Sequence, residues 1–364
     1  MRPARLLLCA LLPLLWAAAG PLPKPKLKPQ RTQAIHAEMI KEGIALTDQG
    51  DYERALDTFQ HVLEENPDDV NAIYEMAYAY SQKKDYPNCI GTARRGAQYE
   101  ARILAQVYQV LGSCLDDAGQ PEAAIQVFRA ALRRYPTDYL LHYNLALTYM
   151  KARRPEQAKT SVKQALAVNP DHPSSHLLLG QLYLESGHNI PALMALSRFL
   201  TLEPYSKRSP QALALINRIL GTGVKKGPNG QTTIMIGLNE TRTKAEGDFT
   251  SADLVLKMGV AALDLPDVQK VAGDTPAQKF IHLLGLAFGS VSPRKTRKRA
   301  SGFAQVYYAP YFTQLHDRQL IEPFVYYAWQ TADLPGGAEW LRDNHAKVSE
   351  FLAWSRKYDW KRAR

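Results

Sequence analysis

Residues 139–172 read YLLHYNLALTYMKARRPEQAKTSVKQALAVNPDH. Ala146 and Ala158 stand twelve places apart, and Pro170 follows twelve places later. Tyr149 lies three after the first alanine and Val162 four after the second. The same spacing recurs on both sides, in Gly43/Ala55/Pro67, Ala77/Cys89/Ala101, Gly112/Ala124/Pro136 and Gly180/Ala192/Pro204. Leu46, Tyr80, Leu115 and Tyr183 repeat the position of Tyr149, and Phe59, Ala93, Phe128 and Leu196 that of Val162. The period is 34 residues, with one step of 35 into the third copy.

A period of this length is the mark of a stacked repeat. Two helices approach closely only where side chains are small, which accounts for the Gly/Ala positions, and the large residues fill the space between neighbours. Gly50-Asp51, Gly119-Gln120 and Gly187-His188 predict turns between paired helices, and the prolines end the second helix of each pair. The period, the small pair and the closing proline resemble the tetratricopeptide repeat (TPR). We count five repeats, 36–69, 70–104, 105–138, 139–172 and 173–206, the second degenerate through Cys89, Ala93 and Ala101. The resemblance implies an all-α fold, a right-handed α-solenoid of five helix pairs, with 207–220 as a capping helix.

The flanks read differently. Arg2 and Arg5 precede an apolar run from Leu6 to Trp16 and then Ala17-Ala18-Ala19-Gly20, the layout of a secretory signal (1–20) cleaved near residues 19–20. As a helix, Leu6 to Ala19 would reach only about 21 Å, short of the roughly 30 Å hydrocarbon core. Export would place the protein in the periplasm or outside the cell. Residues 21–35 are rich in Pro and Lys and predict an extended, mobile segment. Residues 221–248 break the helical pattern, with Gly227-Pro228-Asn229-Gly230 and the β-forming Thr232–Leu238 predicting a short hairpin. Helices return over 249–364, where Phe303, Tyr307, Tyr311 and Leu315 form a stripe interrupted by Pro310. Trp354, Ser355, Tyr358 and Trp360 in this region resemble a C-terminal pattern of exported bacterial TPR proteins, a likeness that brings no activity with it.

The chain's formal charge is +10, yet residues 36–206 carry 16 Lys and Arg against 21 Asp and Glu. The basic surplus lies outside the repeats, above all at Arg294, Lys295, Arg297, Lys298 and Arg299. That run lacks the interleaved aromatics of a nucleic-acid site and reads as a solvated loop or a weak contact with anionic membrane. After the leader, Cys89 and Cys114 remain; on helical positions of the repeats they read as unpaired buried thiols.

In a TPR array the first helices of successive repeats line one face, so the resemblance implies a peptide groove at Ile40, Ile44, Tyr74, Tyr78, Gln109, Ser113, Tyr143, Asn144, Leu147, Leu177 and Gln181. Such a lining suits a protein or peptide partner. Ile40 and Ile44 stand where a carboxylate-binding TPR would have its first Lys and Asn, so that subtype is not expected. No catalytic constellation emerges. His172 and His176 have the i, i+4 spacing of metal ligands but no HExxH glutamate and no third ligand, and read as structural. Gly221-Thr222-Gly223 with Lys225 and Lys226 follows a helix rather than a strand and matches no nucleotide loop. Asn239-Glu240-Thr241 is a glycosylation sequon relevant only in a eukaryote. The expectation is a non-enzymatic scaffold with no cofactor and no metal. The alternative, a ligand-binding or enzymatic module in 249–364, would need a closed pocket lined by Tyr307, Tyr308, Tyr311 and Trp329. The sequence leaves the oligomeric state open.

Overall fold

A computed structural model of the chain describes residues 22, 24–226, 232–234, 242–243, 245–291, 301–332 and 334–360. The leader, the turn at 227–230, the sequon and the basic run at 294–299 lie outside the described residues. The fold is all-α apart from two short antiparallel strand pairs. It divides into two compact units, Met1–Arg154 and Pro155–Arg364.

In the first unit, α1 (Ala34–Asp48) pairs with α2 (Tyr52–Glu65), α3 (Val70–Gln82) with α4 (Tyr86–Gly96), and α5 (Leu104–Asp117) with α6 (Pro121–Arg134). Helix α7 (Tyr139–Lys151) packs on α6. Each first helix touches the next across its pair, α1 on α3, α3 on α5 and α5 on α7. Four first helices therefore lie side by side.

Size matching at one depth holds each pair together. A side chain on Gly43 would meet the Phe59 ring at 2.4 Å, and one on Gly112 the Phe128 ring at 2.4 Å. In the second pair both positions are alanine, Ala77 and Ala93, each buried. The absence of an aromatic there is matched by the larger residue opposite. The turns are equally regular. Gly50, Lys84, Gly119 and Arg153 all hold positive φ, at 83°, 64°, 75° and 56°. The next amide reaches back five residues, Asp51 N–H to Leu46 O (2.9 Å), Asp85 to Tyr80 (2.9 Å), Gln120 to Leu115 (2.8 Å) and Arg154 to Tyr149 (2.8 Å). This closing bond of the Schellman motif satisfies a carbonyl the helix end would orphan. Asp51 and Asp85 then turn their carboxylates to the amides of Arg54 and Asn88 and cap the second helix.

Two expectations are corrected in this unit. Cys89 and Cys114 are not free thiols but a disulfide, with Cα atoms 6.3 Å apart. Cys89 on α4 and Cys114 on α5 are both fully buried where the second helix of one repeat packs on the first of the next, which brings them within bridging range. The lead segment is extended but pinned rather than loose. Lys26 and Leu27 donate backbone bonds to Gln98 O (2.9 and 3.0 Å), Glu100 returns one to Leu27 O (2.8 Å), and Gln30 donates to Asp68 O (3.2 Å). Asn71 Nδ2 reaches Thr32 Oγ1 at 2.9 Å. Prolines force an extended chain, and its free amides find carbonyls at the inter-repeat loops.

The second unit opens with α8 (Pro155–Val168), followed by α9 (Pro173–Glu185), α10 (Asn189–Leu202) and α11 (Ser209–Gly221) packed in succession. Gly180 meets Leu196 and Gly187 repeats the left-handed turn, at φ 76°. Strand β1 (Val224–Lys226) pairs with β2 (Thr232–Ile234), and a second pair, β3 (Arg242–Thr243) with β4 (Gly247–Asp248), follows. The C-terminal helices are α12 (Thr250–Ala262), α13 (Pro266–Ala272), α14 (Pro276–Ser290), α15 (Phe303–Tyr307), α16 (Ala309–Asp317), α17 (Ile321–Ala328), α18 (Gly337–Asp343) and α19 (His345–Lys357). The stripe 303–315 breaks at Tyr308 because Pro310 opens α16. Helix α10 packs on α9, α11, α12 and α17, and every residue from Asn189 to Thr201 is buried. Among the described residues no helix is long and apolar enough to cross a membrane.

Candidate functional site

Helices α1, α3, α5 and α7 turn one face to each other and another outward. Position along the repeat decides which side chains remain accessible. Tyr74, Ser113, Tyr143, Asn144 and Leu147 are half-buried on this row, Tyr78 is 37% exposed, and Ile44 joins them half-buried while Ile40 is buried. Gln109 is half-buried and committed, its amide donating to both Asp138 oxygens at 3.2 Å. Asp138 in turn caps α7 by accepting from Leu141 N–H.

The carboxylates of this face do not follow from the repeat pattern. Glu75, between Tyr74 and Tyr78, is half-buried and makes no ion pair or hydrogen bond with the described side chains. Burial, and then the Asp48 carboxylate, push its pKa up to about 7. The Tyr74 phenol is likewise raised by burial, with Glu75 and Tyr78 adding to it. Asp116 is nine-tenths buried, with Oδ2 held 2.8 Å from Lys151 and Oδ1 lacking any hydrogen-bond donor. Glu75 is the single charged residue of α3, and a lone charge inside an apolar helix was the available signal.

The second unit gives the same repeat positions another fate. Leu177, expected on the open face, is buried at 6%, and Gln181 beside it on α9 is half-buried. Both ring nitrogens of fully buried His176 are engaged, Nε2–H donating to Pro170 O (2.8 Å) and Nδ1 accepting from the Tyr308 hydroxyl (2.7 Å). Burial and then the Arg198 cation lower its pKa to about 3, so the ring is neutral. His172 instead meets Ser175 Oγ at 2.8 Å, and the two histidines share no ligand. The guanidinium of Arg198 lies over the rings of Trp360 (4.9 Å) and Tyr311 (5.5 Å) while donating to Ser355 and Asp171. Glu246 is buried against Lys163 and accepts from Tyr183 Oη at 2.6 Å.

Tyr307, Tyr308, Tyr311 and Trp329, which the alternative of a C-terminal ligand-binding module would need as the wall of a closed pocket, are 2% exposed or less and pack on other aromatic rings, Tyr311 stacking on Trp354 at 4.8 Å. They are core. The buried polar groups of this unit tie α8, α9 and α10 to the C-terminal segments. A small cavity of about 170 Å³ remains between Tyr205, Tyr326, Trp329 and Leu341. Among the described residues no three His, Cys, Asp or Glu come together as metal ligands.

Helix pairs closed by left-handed turns, locked at one depth by a small residue against a large one, define an α-helical repeat protein. The family model that matches is the tetratricopeptide repeat, over residues 46–111 and 117–182, and this stretch of the chain is built of TPR repeats. Solved structures similar to it include TTC0263, a thermophilic TPR protein of Thermus thermophilus. That match has 25% identity and a TM-score of 0.42, over 51% of this chain and 97% of that one. Pseudomonas aeruginosa pilF matches at 20% identity and a TM-score of 0.42, over 51% and 88%. YrrB, described as a TPR protein with an unusual peptide-binding site, matches at 19% identity and a TM-score of 0.37, over 48% and 89%. No curated protein matches.

Proposed function

We propose that the chain is a non-enzymatic scaffold that holds a polypeptide on the α1/α3/α5/α7 face, outside the cytoplasm. The TPR fold is in general a protein-interaction scaffold. The observation that carries the reading is the row Tyr74, Tyr78, Ser113, Tyr143, Asn144 and Leu147, accessible side chains on adjacent helices. Tyrosines held in half-buried positions offer large contact area at little entropic cost, and such anchors are commonly worth about 2 kcal/mol each. Export is supported by the leader-like sequence of residues 1–20 and by the Cys89–Cys114 bridge, which persists in an oxidising compartment.

The test is capture of partners from the source cell envelope by the exported chain and by a Tyr74→Ala/Tyr143→Ala variant. A partner bound by the first and lost by the second, with an unchanged helical circular-dichroism spectrum, is the expected outcome. Equal capture by both, or capture of nothing, refutes the reading.

A further inference from the structure

The charges on the α1/α3/α5/α7 face do not balance. These helices carry the carboxylates Glu38, Glu42, Asp48, Glu75, Asp116 and Asp117 but only two lysines, Lys41 and Lys151. Both lysines are engaged. Lys41 sits 2.7 Å from Glu38, and Lys151 holds Asp116 (2.8 Å) and Asp117 (2.7 Å). Lys83, just past the end of α3, is taken by Glu53 at 2.7 Å. Glu75 and Asp48 are left without a cation among the described residues. Their mutual repulsion and the burial of Glu75 disfavour its charged form unless a cation arrives from elsewhere.

The surroundings of Glu75 fit such a cation. Tyr74 and Tyr78 flank it on α3, one half-buried and one exposed, and aromatic faces attract an ammonium or guanidinium. Asp48 comes from α1, and α5 brings to this face the neutral Gln109 and Ser113. One helix along, the unpaired buried Oδ1 of Asp116 is a second acceptor without a donor. An acidic peptide would meet repulsion here, and a purely apolar one would bury Glu75 further with nothing in return.

We propose that the face selects a basic peptide, with a lysine or arginine side chain paired to Glu75 between Tyr74 and Tyr78. This rests on the docking reading above and adds to it the chemistry of the partner. Binding of the cation favours ionised Glu75, so a proton leaves as the peptide arrives, and affinity falls as pH drops below about 7.

The experiment selects peptides from a random displayed decapeptide library on the full chain and on its Glu75→Gln and Tyr74→Ala/Tyr143→Ala variants. The full chain is expected to enrich Lys or Arg at one fixed position, and Glu75→Gln to lose that preference and bind the leading peptide about tenfold more weakly. Calorimetry of that peptide in two buffers of different ionisation enthalpy should show proton release that Glu75→Gln abolishes. Enrichment of acidic or uncharged peptides, or a basic preference that survives Glu75→Gln, overturns the inference while leaving the docking face intact. Selection of no peptide, or of peptides indifferent to Tyr74→Ala/Tyr143→Ala, overturns the docking reading as well.

Discussion

Tyr74, Gln109 and Tyr143 occupy one repeat position in the first unit, and Leu177 occupies it in the second. These three stay half-exposed, while Leu177 is buried, as is Ile40 at the same position of α1 at the start of the row. The second helices diverge in the same way. In α2 and α6 apolar residues line one side and charged residues the other, whereas α10, NIPALMALSRFLTL, has a single charge and is covered all round. The repeat thus sets where a side chain points. On α10, chain outside the repeat, α12 and α17 among it, covers sides that the pattern of α2 and α6 leaves to water.

Arg198 gives the sharpest way to break the contrast. Replacing it with alanine removes the cation held against Trp360 and Tyr311 and the bonds to Ser355 and Asp171. A loss of about 3 kcal/mol is expected for a buried, partnered charge. Urea unfolding followed by tryptophan fluorescence will show it, since Trp329, Trp340, Trp354 and Trp360 all lie in the second unit. An unmoved midpoint would mean that Arg198 does not hold this cover in place. The matching test of the first unit is Cys89→Ala with Cys114→Ala. The bridge spans 25 residues, and a closed loop of that size is worth about 3 kcal/mol. Helical circular dichroism should register the loss while the tryptophan transition stays where it was.

A smaller effect tests the size matching. Gly112→Ala drives a methyl group against Phe128 and should cost about 2 kcal/mol, part of it recovered by adding Phe128→Leu. The smallest depends on pH. The folded state holds the Glu75 carboxyl above its ordinary value of 4.5, near 7, so it binds that proton more tightly than the unfolded chain does. Stability present at acid pH is therefore lost as pH rises from 4.5 to about 7. Glu75→Gln should raise the melting temperature at pH 8 and leave it unchanged at pH 4, by less than about 1 kcal/mol because water still reaches the group.

The repeats were legible because their signal is local and recurs, so Gly50, Gly119 and Gly187 announce the turns by residue type alone. Lys84 and Arg153 hold the same left-handed turn without glycine and show themselves only in the backbone. What escaped the sequence depends on distant segments meeting. Cys89 and Cys114 look like ordinary small residues of their helices until α4 and α5 pack, and the lysines and prolines of residues 24–32 do not disclose the carbonyls of Gln98 and Asp68 that receive them. Within the candidate face, aromatic and amide positions followed from the period. The importance of Glu75 did not, because it arises from the lack of any neighbouring cation.

The size matching of Gly43 with Phe59, Gly112 with Phe128 and Ala77 with Ala93 also constrains how such an array can be inherited. A crossover falling between the two helices of a repeat would join Ala77 to Phe128 or Gly112 to Ala93, one a collision and the other a void. A crossover in the inter-repeat loops would keep every such couple together. The unit that can be duplicated, deleted or shuffled without repair is the whole hairpin, and its natural seams are the loops that contain Pro67 and Pro136, whereas a seam in the loop at Ala101 would part Cys89 from Cys114.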